Sequence, residues 1–374
     1  MKPPKGYKQT ELGILPDNWK VVKCGEVCEI IAGGDVPKKS FSKYKTEQFC
    51  VPIYSNGIAE NALYGFTNQI KVDKPCISIS ARGTIGYCML HKEPFYPIVR
   101  LIVAIPKIDI NVIFLKYSID FKKIISTSAG IPQLTIPMTS KIQIPLPPLK
   151  EQEKIAEILN AADLELSSYE KLIALKEKYK KGLMQKLLTP KIRFKEFKEQ
   201  WKVVKLGEVC EVKKGEQLNK ITLQDEGYPV INGGILPSGY FHNFNTEKNT
   251  ITISEGGACG FVNYMTENFW SGGHCYTLNN VKENTKFLFF VLKHNQNNIQ
   301  NLRVGSVLSN IQKQNIVNFQ IPLPPLKEQE KIAEVLSSCD AEIQNLKDLC
   351  ALLKKQKHVL MQRLLCGKVR VKGT

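Results

Sequence analysis

The side chains best suited to chemistry in this 374-residue chain are eleven cysteines and five histidines. No two cysteines form a C-x-x-C pair, and their odd number suits free thiols in a reducing, cytoplasmic setting better than a secreted disulfide framework. Cys24 and Cys28 could begin a metal site, but a second copy of the same segment has Leu206 where the first has Cys24. A metal ligand is not exchanged for leucine, so the pair is expected in a core. His274-Cys275 has no partner cluster and reads as structural. The glycine pairs Gly33-Gly34, Gly233-Gly234 and Gly256-Gly257 do not complete G-x-G-x-x-G and read as turns, and no G-x-x-x-x-G-K-[ST] loop is present. The Asn-Pro-Pro-aromatic motif of an amino-methyltransferase and the acidic pair plus lysine of a nuclease are also missing. Recognition is expected rather than reaction, with no metal site.

The elements that must position recognising residues come from an internal repeat. QIPLPPLKEQEKIAE at 143–157 recurs unchanged at 320–334, and WKVVKCGEVCE at 19–29 recurs at 201–211 with one difference. MQKLLTPKIRF from Met184 and MQRLLCGKVRV from Met361 close the two copies. A period near 180 residues is too long for a solenoid unit, so each copy is expected to be a domain with an appendage. After each proline-rich turn, about 40 residues without proline carry a 3.5-residue apolar period: Ile155, Leu159, Leu166, Ile173 and Leu183 in one, Ile332, Leu336, Ile343, Leu353 and Leu360 in the other. Lys176, Lys180 and Lys357 interrupt that seam. Each helix, about 60 Å long, could bury its stripe on its own domain or on the other helix. Mutual antiparallel packing is the expectation. The fold class expected is α+β, with two pseudo-symmetric mixed α/β domains, 1–148 and 189–325. Helices at 149–188 and 326–366 join them, and a basic tail follows at 367–374. Strands are expected near Cys76 to Ile79 and Thr250 to Ile253, and short helices near Val112 to Phe121 and Lys286 to His294.

Lysine and arginine number 52 against 35 aspartate and glutamate, a net charge of +17. The domains carry +8 and +4, the helices +1 each, and the tail +3. Near-neutral helices fit a salt-bridged pair, while basic domains fit a polyanion such as DNA. The helices and anchors match closely between copies, whereas the segment between Ile30 and Ser140 barely matches its counterpart. Like scaffolds with unlike inserts suggest two readers of different half-sites, spaced by the helices. No apolar run approaches a membrane span, and no apolar leader opens the sequence.

TELGILPDNWKVVKCGEVCE, IPLPPLKEQEKIAEIL and the second copy of the latter resemble the specificity (S) subunits of type I restriction–modification systems. The resemblance covers nearly the whole chain. It implies two target recognition domains reading a bipartite, asymmetric site on double-stranded DNA, and an antiparallel helical spacer. It also implies two modification (methyltransferase) subunits as partners, with restriction subunits joining them. S-adenosylmethionine and ATP are expected on those partners and no cofactor on this chain. By the same resemblance Thr10 to Trp19 complements the second domain, and the link from Thr189 to Trp201 complements the first.

Base-reading residues are expected among polar loop side chains beside strands. In the first domain these are Lys38, Lys39, Asn56, Arg82, Thr84 and Gln133; in the second, Lys220, Asn232, Glu255 and Asn310. Arg82 precedes Gly83, where a guanidinium can take guanine bidentately, and Glu255 is set at the corresponding place either to accept from cytosine N4 or simply to repel phosphate. The alternative function is a stand-alone sequence-specific DNA-binding regulator; a scaffold without nucleic acid is a third reading.

Overall fold

The two inserts fold with the same topology although their sequences barely match. The computed structural model describes residues 3–58, 62–122, 133–305 and 309–371. In the first copy β1 (Cys28–Ala32), β2 (Cys76–Ile79), β3 (Cys88–His91) and β4 (Ile102–Pro106) make an antiparallel sheet ordered β1-β4-β2-β3. Helix α1 (Val112–Asp120) packs on it, and the long helix α2 (Leu149–Leu187) follows. In the second copy β5 (Glu211–Lys214), β6 (Thr250–Ser254), β7 (Val262–Met265) and β8 (Cys275–Asn279) repeat the order as β5-β8-β6-β7. Helices α3 (Thr285–His294) and α4 (Leu326–Leu364) complete that copy. Each insert also has a three-stranded sheet with one parallel pairing: Val51–Tyr54 with Tyr96–Pro97, and Tyr228–Ile231 with Trp270–Ser271. The match arises because burial pattern, not identity, sets the strands. Ile77 and Ile79 are fully buried, as are Ile251 and Ile253. Cys24 and Cys28 lie in the first core as free, buried thiols.

Side-chain caps start the short helices. Asn111 accepts from the Phe114 amide at 3.0 Å, and Asn284 from the Phe287 amide at 2.9 Å. The duplicated Glu-Gln of the long helices ties those caps in. The Gln152 carboxamide accepts from the Asn111 backbone and donates to the Pro147 carbonyl; Gln329 does the same with Asn284 and Pro324. Both glutamines are buried, with each end of the carboxamide partnered.

By packing the chain divides into two units, Met1–Glu170 with Leu349–Thr374, and Lys171–Asp348. Each contains part of both long helices, packed antiparallel. In the first unit Ile155 and Leu159 share a core with Met361, Leu364 and Leu365, and with Phe114 and Tyr117 of α1. In the second, Ile332 and Leu336 share one with Leu187, Leu188, Phe287 and Phe290. The helices therefore bury their stripes on their own domain and on each other together. Leu166 and Ile343 are buried, and Ile173, Leu183 and Leu353 half-buried. Leu360 departs from the expected seam: it is 36% exposed, and Met361 at 9% takes the inward place. An α-helix of 3.6 residues per turn drifts about 20° per heptad against a 3.5 repeat, which moves the buried stripe on by one residue.

All three lysines that interrupt the seam find carboxylates on the opposite helix. Lys176 pairs with Glu342 at 2.6 Å, Lys180 with Asp340, and Lys357 with Asp163. The last two pairs are equivalents at the 177-residue offset. Each ammonium also lies over the corresponding ring, Phe290 at 5.1 Å and Tyr117 at 5.3 Å. Tyr117 adds a hydrogen bond to Asp163 at 2.6 Å. Burial alone would raise the Asp163 pKa, but Lys357 and Tyr117 outweigh it and hold the carboxyl below its ordinary value.

The N-terminal stretch and the link are placed the other way round from the expectation drawn from the resemblance. Leu12, Leu15 and Trp19 pack in the first unit, against α1 and the end of α4. Trp19 donates its indole N–H to Glu151 at 3.0 Å, and Arg370 grips the same carboxylate with bonds of 2.7 and 2.9 Å. The link belongs to the second unit, where Trp201 and Arg193 hold Glu328 in the same manner. The reason is local. Trp19 stands just before the strand Lys20–Lys23, which pairs with Gln143–Leu146 at the entry to α2, so its indole reaches the glutamate opening its own long helix. Gly367, at φ +63°, turns the chain after α4 so tightly that a Cβ would lie 2.4 Å from Pro16. The tail is therefore a packed element through Val371 rather than a free basic arm; Lys372 to Thr374 lie outside the described residues.

Candidate nucleic-acid interface

Four of the residues singled out in the first domain, Asn56, Arg82, Thr84 and Gln133, gather where β2 ends. Leu134 donates its backbone N–H to the Ala81 carbonyl, which brings Gln133 beside Arg82, and the Arg82 guanidinium donates to Gln133 Oε1 at 2.8 Å. The Ser80 hydroxyl donates to the Arg82 carbonyl at 3.1 Å, and Thr84 donates to Ser80 at 3.3 Å. Arg82 and Thr84 are exposed, so the guanidinium is presented to solvent in a held orientation. Asn56 is used differently from the expectation. Its Oδ1 accepts from the Ala81 N–H and its Nδ2 donates to the Val99 carbonyl, both at 2.6 Å. With both ends of the amide engaged, Asn56 stitches loops together and has little left for a base.

The same place in the second domain is built from other side chains. Ile311 donates to the Glu255 carbonyl as Leu134 does to Ala81, so Glu255 is the counterpart of Ala81, and Gly256 stands where Arg82 does. This corrects the correspondence expected above. Glu255 accepts from Lys214 at 2.7 Å and Tyr276 at 3.0 Å and faces His274 Nδ1 at 3.3 Å. Burial would raise its pKa, but Lys214 and Tyr276 dominate and keep the carboxyl below the usual range. Glu255 is thus an internal hub, its oxygens already engaged. Asn232 Oδ1 accepts from the His274 backbone at 2.8 Å, and Asn310 is exposed and bridged through its backbone to Val304 and Gly256.

Lys38 and Lys39 sit exposed on the 3-10 turn Lys38–Ser40, and Lys220 on the equivalent turn Lys220–Thr222. Among the described residues they form no hydrogen bond with the clusters above. Reasoning from sequence missed the turn joining the last two strands of each insert. In the first domain that turn is Val99-Arg100, at φ +51° and +58°. Left-handed backbone outside glycine costs about 1–3 kcal/mol per residue and is rarest for β-branched side chains. In the second domain the turn is Gly273-His274. No sequence signal marked Val99-Arg100, because nothing in the sequence predicts a valine in left-handed backbone. Among the described residues no three of His, Cys, Asp or Glu group as a metal site, and no helix is long and apolar enough to cross a membrane.

Two like scaffolds that hold unlike, solvent-facing polar turns are the mark of a recognition protein. The sequence profile of the type I restriction modification DNA specificity domain matches residues 16–177 and again 198–355. A putative type I restriction enzyme specificity subunit of Methanocaldococcus jannaschii is 26% identical over 98% of this chain and 97% of its own length. A putative type I specificity subunit of Mycoplasma pneumoniae is 35% identical over 45% of this chain and 46% of its own. The crystal structure of a type I system S subunit from M. genitalium superposes with a TM-score of 0.70 at 20% identity, covering 93% of this chain and 96% of that one. The chain belongs to the type I restriction–modification specificity subunit family, the non-catalytic, DNA-specifying component of such systems.

Proposed function

We propose that each domain reads one half of a bipartite, asymmetric DNA site, with α2 and α4 setting the spacing between the halves. The observation that carries this reading is the equivalent placing of unlike side chains. At matched turns on matched scaffolds stand Arg82 with Gln133 in one copy and Gly256 with Asn310 in the other. Features shared by both copies suit the common phosphate backbone, and the lysine-bearing 3-10 turns are of that kind. Features that differ suit base edges.

Exposed leucines recur at equivalent places on the two helices, Leu175 on α2 and Leu352 on α4. These like faces support the docking of two modification subunits, with restriction subunits joining the assembly. S-adenosylmethionine and ATP would then serve those partners, and the protein would act where DNA is, in the cytoplasm. The test is co-expression of this chain with its modification subunit and long-read sequencing of host DNA. Adenine methylation at one gapped, two-part motif is expected, and methylation at an ungapped palindrome would overturn the reading. Binding of the purified complex to DNA should fall steeply with salt, as phosphate contacts release counterions.

A further inference from the structure

We propose that Arg100 is a second base-reading side chain of the first domain, that His274 is its counterpart in the second, and that Asn56 and Asn232 are the positioning residues for them. The inference rests on the recognition function above and adds residues to it.

Strand pairing makes the two turns equivalent. Ile102 pairs with Ile79 as Tyr276 pairs with Ile253, which sets Arg100 and His274 at the same place beside the sheet. Both are exposed. The first turn is closed by bonds from the Val99 and Arg100 amides to the Gly34 and Gly33 carbonyls and from Leu101 to Ile98. Two consecutive non-glycine residues in left-handed backbone persist only where the surroundings over-determine them. The clamp here is Asn56, whose amide joins the Val99 carbonyl to the Ala81 N–H and so couples this turn to the loop bearing Arg82.

An asparagine from the equivalent loop clamps the second turn as well. Asn232 accepts from the His274 N–H, although in the sequence match it stands opposite Ser55 rather than Asn56. The bonds differ, Asn56 donating to the Val99 carbonyl and Asn232 accepting from the His274 N–H, but an asparagine of the neighbouring loop holds the turn backbone in both copies. What the turn presents differs: a strained Val-Arg in one, Gly-His with Glu255 beside the imidazole in the other. A turn whose backbone is held in place on a like scaffold while its side chain changes between halves fits sequence readout. A phosphate contact would need neither the constraint nor the change. Arg100 therefore suits the O6 and N7 acceptors of a guanine in the major groove.

The test uses the full chain with its modification subunit, reading the methylated motif and the methylated fraction at each one-base variant. Arg100→Ala is expected to relax one position of the first half-site, lowering discrimination there roughly tenfold or more, and to leave the second half-site intact. Arg100→Lys keeps the charge but not the planar fork and should relax the same position. His274→Ala should relax only the second half-site. Asn56→Ala should loosen the positions read by both Arg82 and Arg100, with thermal unfolding followed in parallel. Among the described residues the Arg100 side chain forms no hydrogen bond, so its variants should keep the wild-type melting point. An Arg100→Lys complex with the wild-type motif, or an Arg100→Ala complex weakened evenly on all sequences, would overturn the assignment. If the wild-type complex methylates no gapped two-part motif, the recognition reading itself falls and takes this assignment with it.

Discussion

His91 and Met265 occupy one place in the two copies, at the end of the edge strand and opposite the start of its neighbour. Met265 packs in an apolar cluster, whereas His91 is buried against the Tyr54 and Phe95 rings with the Ser78 hydroxyl 2.8 Å from its Nε2. Burial holds the His91 pKa down to about 4. An unfolded imidazole titrates near about 6.5. Below that pH the unfolded chain takes up a proton that the folded chain refuses. The contribution is therefore complete above about 6.5 and lost as pH falls toward 4, by roughly 3 kcal/mol in all. His91→Met, the residue of the second copy, should remove this acid limb. Unfolding measured at pH 7 and pH 5 should show a smaller difference for the variant; equal differences would exclude His91 as the group. Sequence alone placed His91 in no role, since its protonation is set by the rings that enclose it and not by its neighbours along the chain.

The junction of each domain with its helix is the element on which the repeat depends. Glu328 keeps only 1% of its side chain exposed, and the Arg193 guanidinium and Trp201 indole are its partners. Removing one member of such a pair strands a buried charge. Arg193→Ala should cost about 3 kcal/mol and, in a unit of this size, lower the unfolding temperature by roughly 6–12 °C. Adding Glu328→Gln should restore part of the loss, because a neutral amide is cheaper to bury alone. A double variant no more stable than the single one would show that the charge is not the cause. Arg370→Ala should cost less, since Arg370 is more exposed and its ion pair more screened. The repeated Glu-Gln and Trp were legible as anchors because identity over fifteen residues is visible in the sequence. Their partners Arg193 and Arg370 stand at the same place in the closing match from Met184 and Met361, but a matched arginine does not by itself show which carboxylate it grips, so the ring of contacts was not legible. The long helices were likewise legible from their period. The seam lysines were visible as interruptions, but the carboxylates that answer them, Glu342, Asp340 and Asp163, lie outside the 3.5 repeat and become partners only when two helices face each other. The shared topology of the inserts was hidden by the same rule that makes it possible, since many apolar sequences satisfy one buried-strand pattern.

At the scale of the whole chain the two copies differ chiefly in what the scaffold carries. Tryptophan–glutamate–arginine junctions, glutamine-held caps and lysine–aspartate seam pairs recur in both, while the turns at the ends of β2 and β6 do not. If these equivalences extend to recognition, each junction holds its insert alike, and exchanging the inserts gives each reader the half-site position of the other. The two half-sites then trade places, which for a gapped motif is the same sequence on the opposite strand. The exchanged protein, carrying 212–317 in place of 30–140 and the reverse, should therefore methylate with its partner the same gapped motif as the parent, now read from the complementary strand. Departures from two-fold likeness do exist: Glu170 and Glu177 on α2 face Lys354 and Lys347 on α4, so acid lies on one helix and base on the other. These exposed pairs contribute about 0–1 kcal/mol each, so they should change the motif little. Long-read sequencing of DNA methylated by the exchanged protein decides the matter. An unchanged motif is expected from equivalent junctions, whereas a gap of altered length would mean that the scaffold holds its two readers at unequal places.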